Sequence, residues 1–193
     1  MRRSNHTSIL TTLILTCVVA TVAQDVQQQI PPKRKFKHNT KIQTKYDSSK
    51  DQTMVYIDPY HSSGPVHYFD LLENVIITAG FNHPGKTLKS VPEGVELGVI
   101  TNSRYGWFFG GNKELVIIAD GEQVFAGPLI MVKKTKPNGS TYVEILSVAL
   151  PVNVFLKTAN ANAVEMRAGP QVQFKLVTEH LEAFRDLASR MKP

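Results

Sequence analysis

The chain has 193 residues, a formal net charge of +6 and one cysteine, a size that suits a single domain with a tail. Arg2, Arg3, Lys33, Arg34, Lys35 and Lys37 are six of the 22 basic residues and Asp25 is the one acidic residue before position 41, which leaves 16 Lys+Arg against 15 Asp+Glu from there on. The basic character belongs to the tail, and a nearly neutral domain argues against nucleic-acid binding, which wants basic residues along the folded surface.

Arg2 and Arg3 precede an apolar run from Ile9 to Ala23 that closes on the small-residue triplet Thr21-Val22-Ala23. This order is that of a secretory signal peptide over residues 1–23, cleaved after Ala23. The run is short for a membrane span, which needs roughly 20 apolar residues, so a retained anchor is the alternative. The expected location is outside the cytoplasm: periplasmic, in the cell envelope, or secreted. Cys17, the only cysteine, leaves with the signal. The mature chain then has no thiol chemistry, no Cys-ligated zinc or iron–sulfur cluster, and must stand on its hydrophobic core.

Residues 24–40 are polar, Pro-containing and basic, without apolar periodicity, and read as a flexible basic linker. Lys33, Arg34, Lys35 and Lys37 would allow weak electrostatic contact with an anionic surface, at about 1 kcal/mol per basic residue. The plainer reading is a solvated spacer.

The domain is expected to cover residues 41–193. Ile42, Thr44 and Tyr46 alternate with Gln43 and Lys45, and Thr53 to Ile57 follows after a polar turn, so both read as strands. Asp58 to Pro65 is a loop by its Pro, Gly and Ser content. From Val66 to Phe81, residues Phe69, Leu71, Val75, Ile77, Ala79 and Phe81 keep one phase, and Glu73 breaks it, which predicts a bulge or an edge there. Turns are expected at Asn82–Lys86 and Ser90–Gly94, then a strand from Val95 to Thr101. Asp120-Gly121 predicts a two-residue type I′ hairpin between Leu115–Ala119 and Val124–Ala126. Asn138-Gly139 predicts another between Leu129–Thr135 and Thr141–Ala149, and Lys133, Lys134 and Lys136 on its first arm suggest a solvated edge.

Pro151 suits the first position of a short helix whose Val152, Phe155, Leu156 and Ala159 share a face. Val164–Arg167 and Val172–Val177 read as a last strand pair. Thr178 is a suitable N-cap for a final helix with an apolar stripe of Leu181, Phe184, Leu187, Ala188 and Met191. The sum is a mainly β fold, an antiparallel sandwich or open barrel with a C-terminal amphipathic helix packed on it.

Four stretches carry a resemblance: Thr44-Lys45-Tyr46-Asp47 with Asp51 and Thr53, Leu115 to Glu122, Phe155 to Ala161 leading to Val164-Glu165, and His180 to Leu187. In this order they resemble a family of small exported bacterial β-rich proteins of uncharacterised function. The resemblance implies an all-β domain with a terminal helix and an export signal, and it assigns no activity and no functional residues.

Two sets of residues are candidate sites. Gly106 to Gly111 contains Trp107, Phe108 and Phe109 beside Tyr105, and these aromatics could form a platform for a glycan or peptide. The bland alternative is a strand whose aromatics fill the core. Asp58, His61, His67 and Asp70 are the densest set of acid–base groups or metal ligands, but His61 and His67 match no standard zinc spacing and flank a Gly-Pro turn. No Gly-x-Ser-x-Gly and no P-loop spacing occurs. The expectation is therefore a non-enzymatic, envelope-associated β-domain that binds an envelope component or another protein and needs no cofactor. The alternative is a small hydrolase or metal-dependent enzyme built on Asp58, His61, His67 and Asp70.

Overall fold

The computed structural model describes residues 25–58, 72–104, 106, 107, 109, 113–136, 141–170 and 172–193. These form ten strands: β1 (Ile42–Asp47), β2 (Gln52–Ile57), β3 (Leu72–Pro84), β4 (Gly94–Ser103), β5 (Glu114–Ala119), β6 (Glu122–Pro128), β7 (Ile130–Thr135), β8 (Tyr142–Pro151), β9 (Val164–Ala168) and β10 (Val172–Lys175). Two helices, α1 (Val152–Asn160) and α2 (Thr178–Ser189), follow β8 and β10. The strands make two open antiparallel sheets, one of six in the order β1-β2-β3-β4-β8-β7 and one of four in the order β10-β9-β5-β6.

The alternation read from the sequence sets which face of the large sheet is covered. Val75, Ile77, Ala79 and Phe81 of β3 lie beside Val95, Leu97 and Val99 of β4 and Leu146, Val148 and Leu150 of β8, all buried. The broken phase at Glu73 corresponds to a register shift between Leu72 and Asn74. Phe69 and Leu71, on the same expected phase, lie outside the described residues. β3 runs further than its sequence suggests, to Pro84, because His83 and Pro84 still pair with Thr53 and Gln52 of β2. The chain turns only at Gly85, whose φ of +67° favours glycine and whose N–H donates to the Asp51 carbonyl at 2.8 Å. Asp120 and Gly121 have φ of 49° and 86°, as the two central residues of a type I′ turn require. Asn138-Gly139 lies outside the described residues.

Pro151 ends β8 and directly precedes α1 instead of opening it. The Val152 N–H, the first of the helix, donates to the Glu93 carbonyl at 3.1 Å, so this orphan donor is satisfied by the loop before β4. α1 touches β4 and β8 of the large sheet and β5 and β6 of the small one, and it thereby joins the two. Its Phe155, Leu156 and Ala159 are fully buried. α2 begins one residue earlier in cap position than Thr178 suggests: Val177 is the cap, extended at φ −77° and ψ 163°. A valine side chain offers no acceptor to the first turn, but the N–H of Val177 itself donates to the His180 ring, with Nδ1 at 3.4 Å. Leu181, Phe184, Leu187, Ala188 and Met191 are 0–3 % exposed, and α2 packs on α1, β2 and β3. Phe155 and Phe184 join the two helices with ring centroids 5.4 Å apart.

Residues 25–40 make contacts that a solvated spacer would not make. After a helical turn over 25–29, Ile30 is buried and the Gln29 carbonyl accepts a hydrogen bond from Asn160 at 2.7 Å. The chain then runs along α2. Arg34 pairs with Glu182 at 2.9 Å, the Lys37 N–H donates to the same carboxylate at 3.2 Å, and His38 lies 3.2 Å from Asp186. The physical reason is a row of acids, Glu179, Glu182 and Asp186, on the side of α2 turned toward this stretch. Among the described residues no helix is long and apolar enough to cross a membrane.

Candidate functional site

The aromatic stretch after β4 is fixed at two points. Gly106 has φ of +142°, a conformation that side chains disfavour. On the other side, Phe109 is 3 % exposed in the core. Its backbone N–H lies 3.3 Å from both carboxylate oxygens of Glu144, a buried residue on β8. The two contacts are long for hydrogen bonds, and they link this stretch to the buried carboxylate of β8.

Between these anchors Trp107 stands out from the surface, 40 % exposed. Its ring meets the edge of Tyr142 with centroids 4.7 Å apart and planes at 82°. Lys134 Nζ lies 4.3 Å from the Trp107 centroid, and Lys136 Nζ lies 4.4 Å from that of Tyr142 while donating to its hydroxyl at 3.0 Å. The sheet explains this convergence. Lys134 is opposite Glu144 in the β7–β8 register, and residues two apart on a strand share a face, so Lys134, Lys136, Tyr142 and Glu144 point the same way. Each cation–ring contact is worth about 0.5–1 kcal/mol at an exposed site, and an edge-on aromatic pair about as much. These terms hold the rings upright and leave the remaining ammonium protons facing water.

A flat indole face beside two ammonium groups can stack on the C–H face of a sugar ring or a planar side chain and pair with an anion. Of the platform residues expected from the sequence, Trp107 is here, and Tyr105 and Phe108 lie outside the described residues. Tyr142, Lys134 and Lys136 complete the patch. The available clue was the i, i+2 spacing of the two lysines, which puts them on one strand face.

Of the second set only Asp58 falls among the described residues. His61, His67 and Asp70 lie outside them. Asp58 is buried beyond the end of β2, where its N–H donates to the Lys41 carbonyl at 2.9 Å and its carboxylate accepts from the Gln43 side chain. Among the described residues no group of three His, Cys, Asp or Glu is placed to hold a metal ion. Of the tail cations, Lys33, Lys35 and Lys37 are exposed and Arg34 lies over the Phe36 ring at 5.0 Å as well as against Glu182.

Comparison with family models, with curated proteins and with solved structures finds no match.

Proposed function

We propose that this protein is a non-enzymatic, exported binding domain of the cell envelope, and that the Trp107 patch takes an acidic glycan. The observation that carries the reading is the exposed Trp107 ring, tethered by the Phe109–Glu144 bond and flanked by Lys134 and Lys136. Solvent exposure of an indole this firmly held is poorly explained by packing, since the ring gains little by facing water. Stacking supplies affinity for a sugar ring, and the ammonium groups select for carboxylates among the polymers outside the cytoplasm. The amino-terminal basic and apolar signal and the family resemblance support export.

Trp107 is the only tryptophan, so its fluorescence reports the patch alone. Titration with polygalacturonate should quench it saturably and uncharged dextran should not, with the effect weakening as salt is raised. Equal response to both polymers, or none to either, would refute the acidic-glycan reading.

A further inference from the structure

The large sheet has a second face, turned away from the helices. Directly paired residues in antiparallel strands share a face, so the registers give its rows. Tyr56, Gly80, Glu96 and Ala149 form one row across β2, β3, β4 and β8. Thr78, Gly98, Ser147 and Ile130 form the next, from β3 to β7. A third row holds Ile76, Ile100 and Ile145. The middle row is low over β3, β4 and β8 because Thr78, Gly98 and Ser147 are small. The taller flanking side chains turn it into an open groove of about 280 Å³, with Met54 and Tyr56 toward one end and Val132 and Ile145 toward the other. Met54, Ile130 and Val132 are 41, 66 and 59 % exposed, an unusual concentration of apolar surface at one place.

The strand edge beside the groove does not invite pairing. β7 carries a register irregularity between Met131 and Lys133, and its outer positions include Lys133 and Lys134, both of which oppose strand addition. Contact must therefore come through the face. Glu96 is the one charged residue lining the groove, and among the described residues its carboxylate makes no hydrogen bond or ion pair. An occupant that fits offers aliphatic groups to the floor and walls and a cation to Glu96. From β2 to β7 the groove crosses five strands, about 19 Å at the spacing of neighbouring strands, which an extended peptide covers in about six residues. The groove is too open to enclose a small molecule, whose sites bury most of the ligand.

We propose that this groove is a second binding site, for an extended segment of a partner protein that carries a lysine or arginine between aliphatic residues. The partner lies along the row Thr78–Gly98–Ser147 with its cation on Glu96. The site is separate from the Trp107 patch, whose residues Lys134, Tyr142 and Glu144 occupy the opposite face of the same strands.

The test uses the isotope-labelled full chain and a blocked heptapeptide of alternating serine, with leucine, lysine and leucine at its second, fourth and sixth positions. Amide resonances of Gly80, Gly98 and Ser147 should shift saturably, while Trp107 fluorescence stays unchanged. The same peptide with glutamate in place of lysine should bind at least tenfold more weakly. Glu96→Gln should erase that preference, and Glu96→Lys should reverse it, with thermal unfolding unaltered in both because the side chain is exposed. Shifts scattered away from these rows, equal binding of the two peptides, or a preference that survives Glu96→Gln would overturn the proposal. Tighter binding of dodecylamine than of the lysine peptide would also overturn it, and would assign the groove to an amine amphiphile.

Discussion

On β3, Val75, Ile77, Ala79 and Phe81 are buried against the helices, whereas Ile76, Thr78 and Gly80 between them remain half-buried on the other side. On β8, Leu146, Val148 and Leu150 are buried while Ile145, Ser147 and Ala149 are not. The two faces of the six-stranded sheet share every strand and every backbone hydrogen bond, yet among the described residues only one is covered by the helices. The difference separates a face whose side chains are buried from one whose side chains stay half-buried. The Trp107 patch adds a third kind of surface, at the β7–β8 end of the covered face, where apolar cover gives way to rings and ammonium groups.

Substitutions on the covered side should have the largest effect. Leu181→Asp places a charge at a position 3 % exposed, between α2 and the large sheet, and should abolish cooperative thermal unfolding. Unfolding like that of the wild type would mean that this helix face serves a partner instead of the core. A smaller loss is expected at Gly80, where a Cβ would come within 2.8 Å of Tyr56 Cβ and 3.1 Å of the Val55 carbonyl oxygen. Gly80→Ala should cost about 1–3 kcal/mol in urea unfolding, because the neighbouring strand must move. No loss would show that β2 and β3 have slack that the registers do not suggest.

The contacts of residues 25–40 come next in size. Burial raises the Glu182 carboxyl, but hydrogen bonds from Arg185 and the Lys37 amide, with the charges of Arg34 and Arg185, outweigh it and leave the carboxyl below the usual glutamate value. A lowered folded-state value means stability that is complete above the unfolded carboxyl's value, about 4.3, and lost as pH falls through the folded one. Glu182→Gln should therefore cost about 1–2 kcal/mol at neutral pH and flatten the decline of melting temperature below that range. An unchanged acid limb would show that these contacts contribute nothing to folding. The smallest effect is expected on the open face, where Val132→Ser should change stability by no more than about 0.5 kcal/mol. A loss of several kcal/mol would make that face structural.

Periodicity made the covered face legible. The phase of β3, the stripe of α2, the break at Glu73 and the Asp120-Gly121 turn were all readable, because each is a local pattern with one physical cause. Boundaries that depend on a neighbour were less so. β3 extends to Pro84 because β2 lies beside it, and α2 is capped at Val177 because the His180 ring turns back. Trp107 was legible as a candidate, but its companions were not. Tyr142 and the two lysines stand 27 or more positions away, and only the β7–β8 register and the Phe109–Glu144 tether bring them together. The composition of the basic stretch points to a solvated spacer, because the acids that receive it lie on a helix about 145 residues further on.

Under the proposed function Trp107, Lys134 and Lys136 are displayed for a ligand and are not needed for the fold. The decisive comparison sets the Lys134→Ala, Lys136→Ala double variant against the wild type for thermal unfolding and for polygalacturonate affinity by calorimetry. The melting temperature should stay within about 2 °C of the wild type, since two exposed cation–ring contacts are worth little. Affinity should fall at least tenfold. Affinity unchanged, or lost only in step with a large fall in melting temperature, would contradict the proposed function.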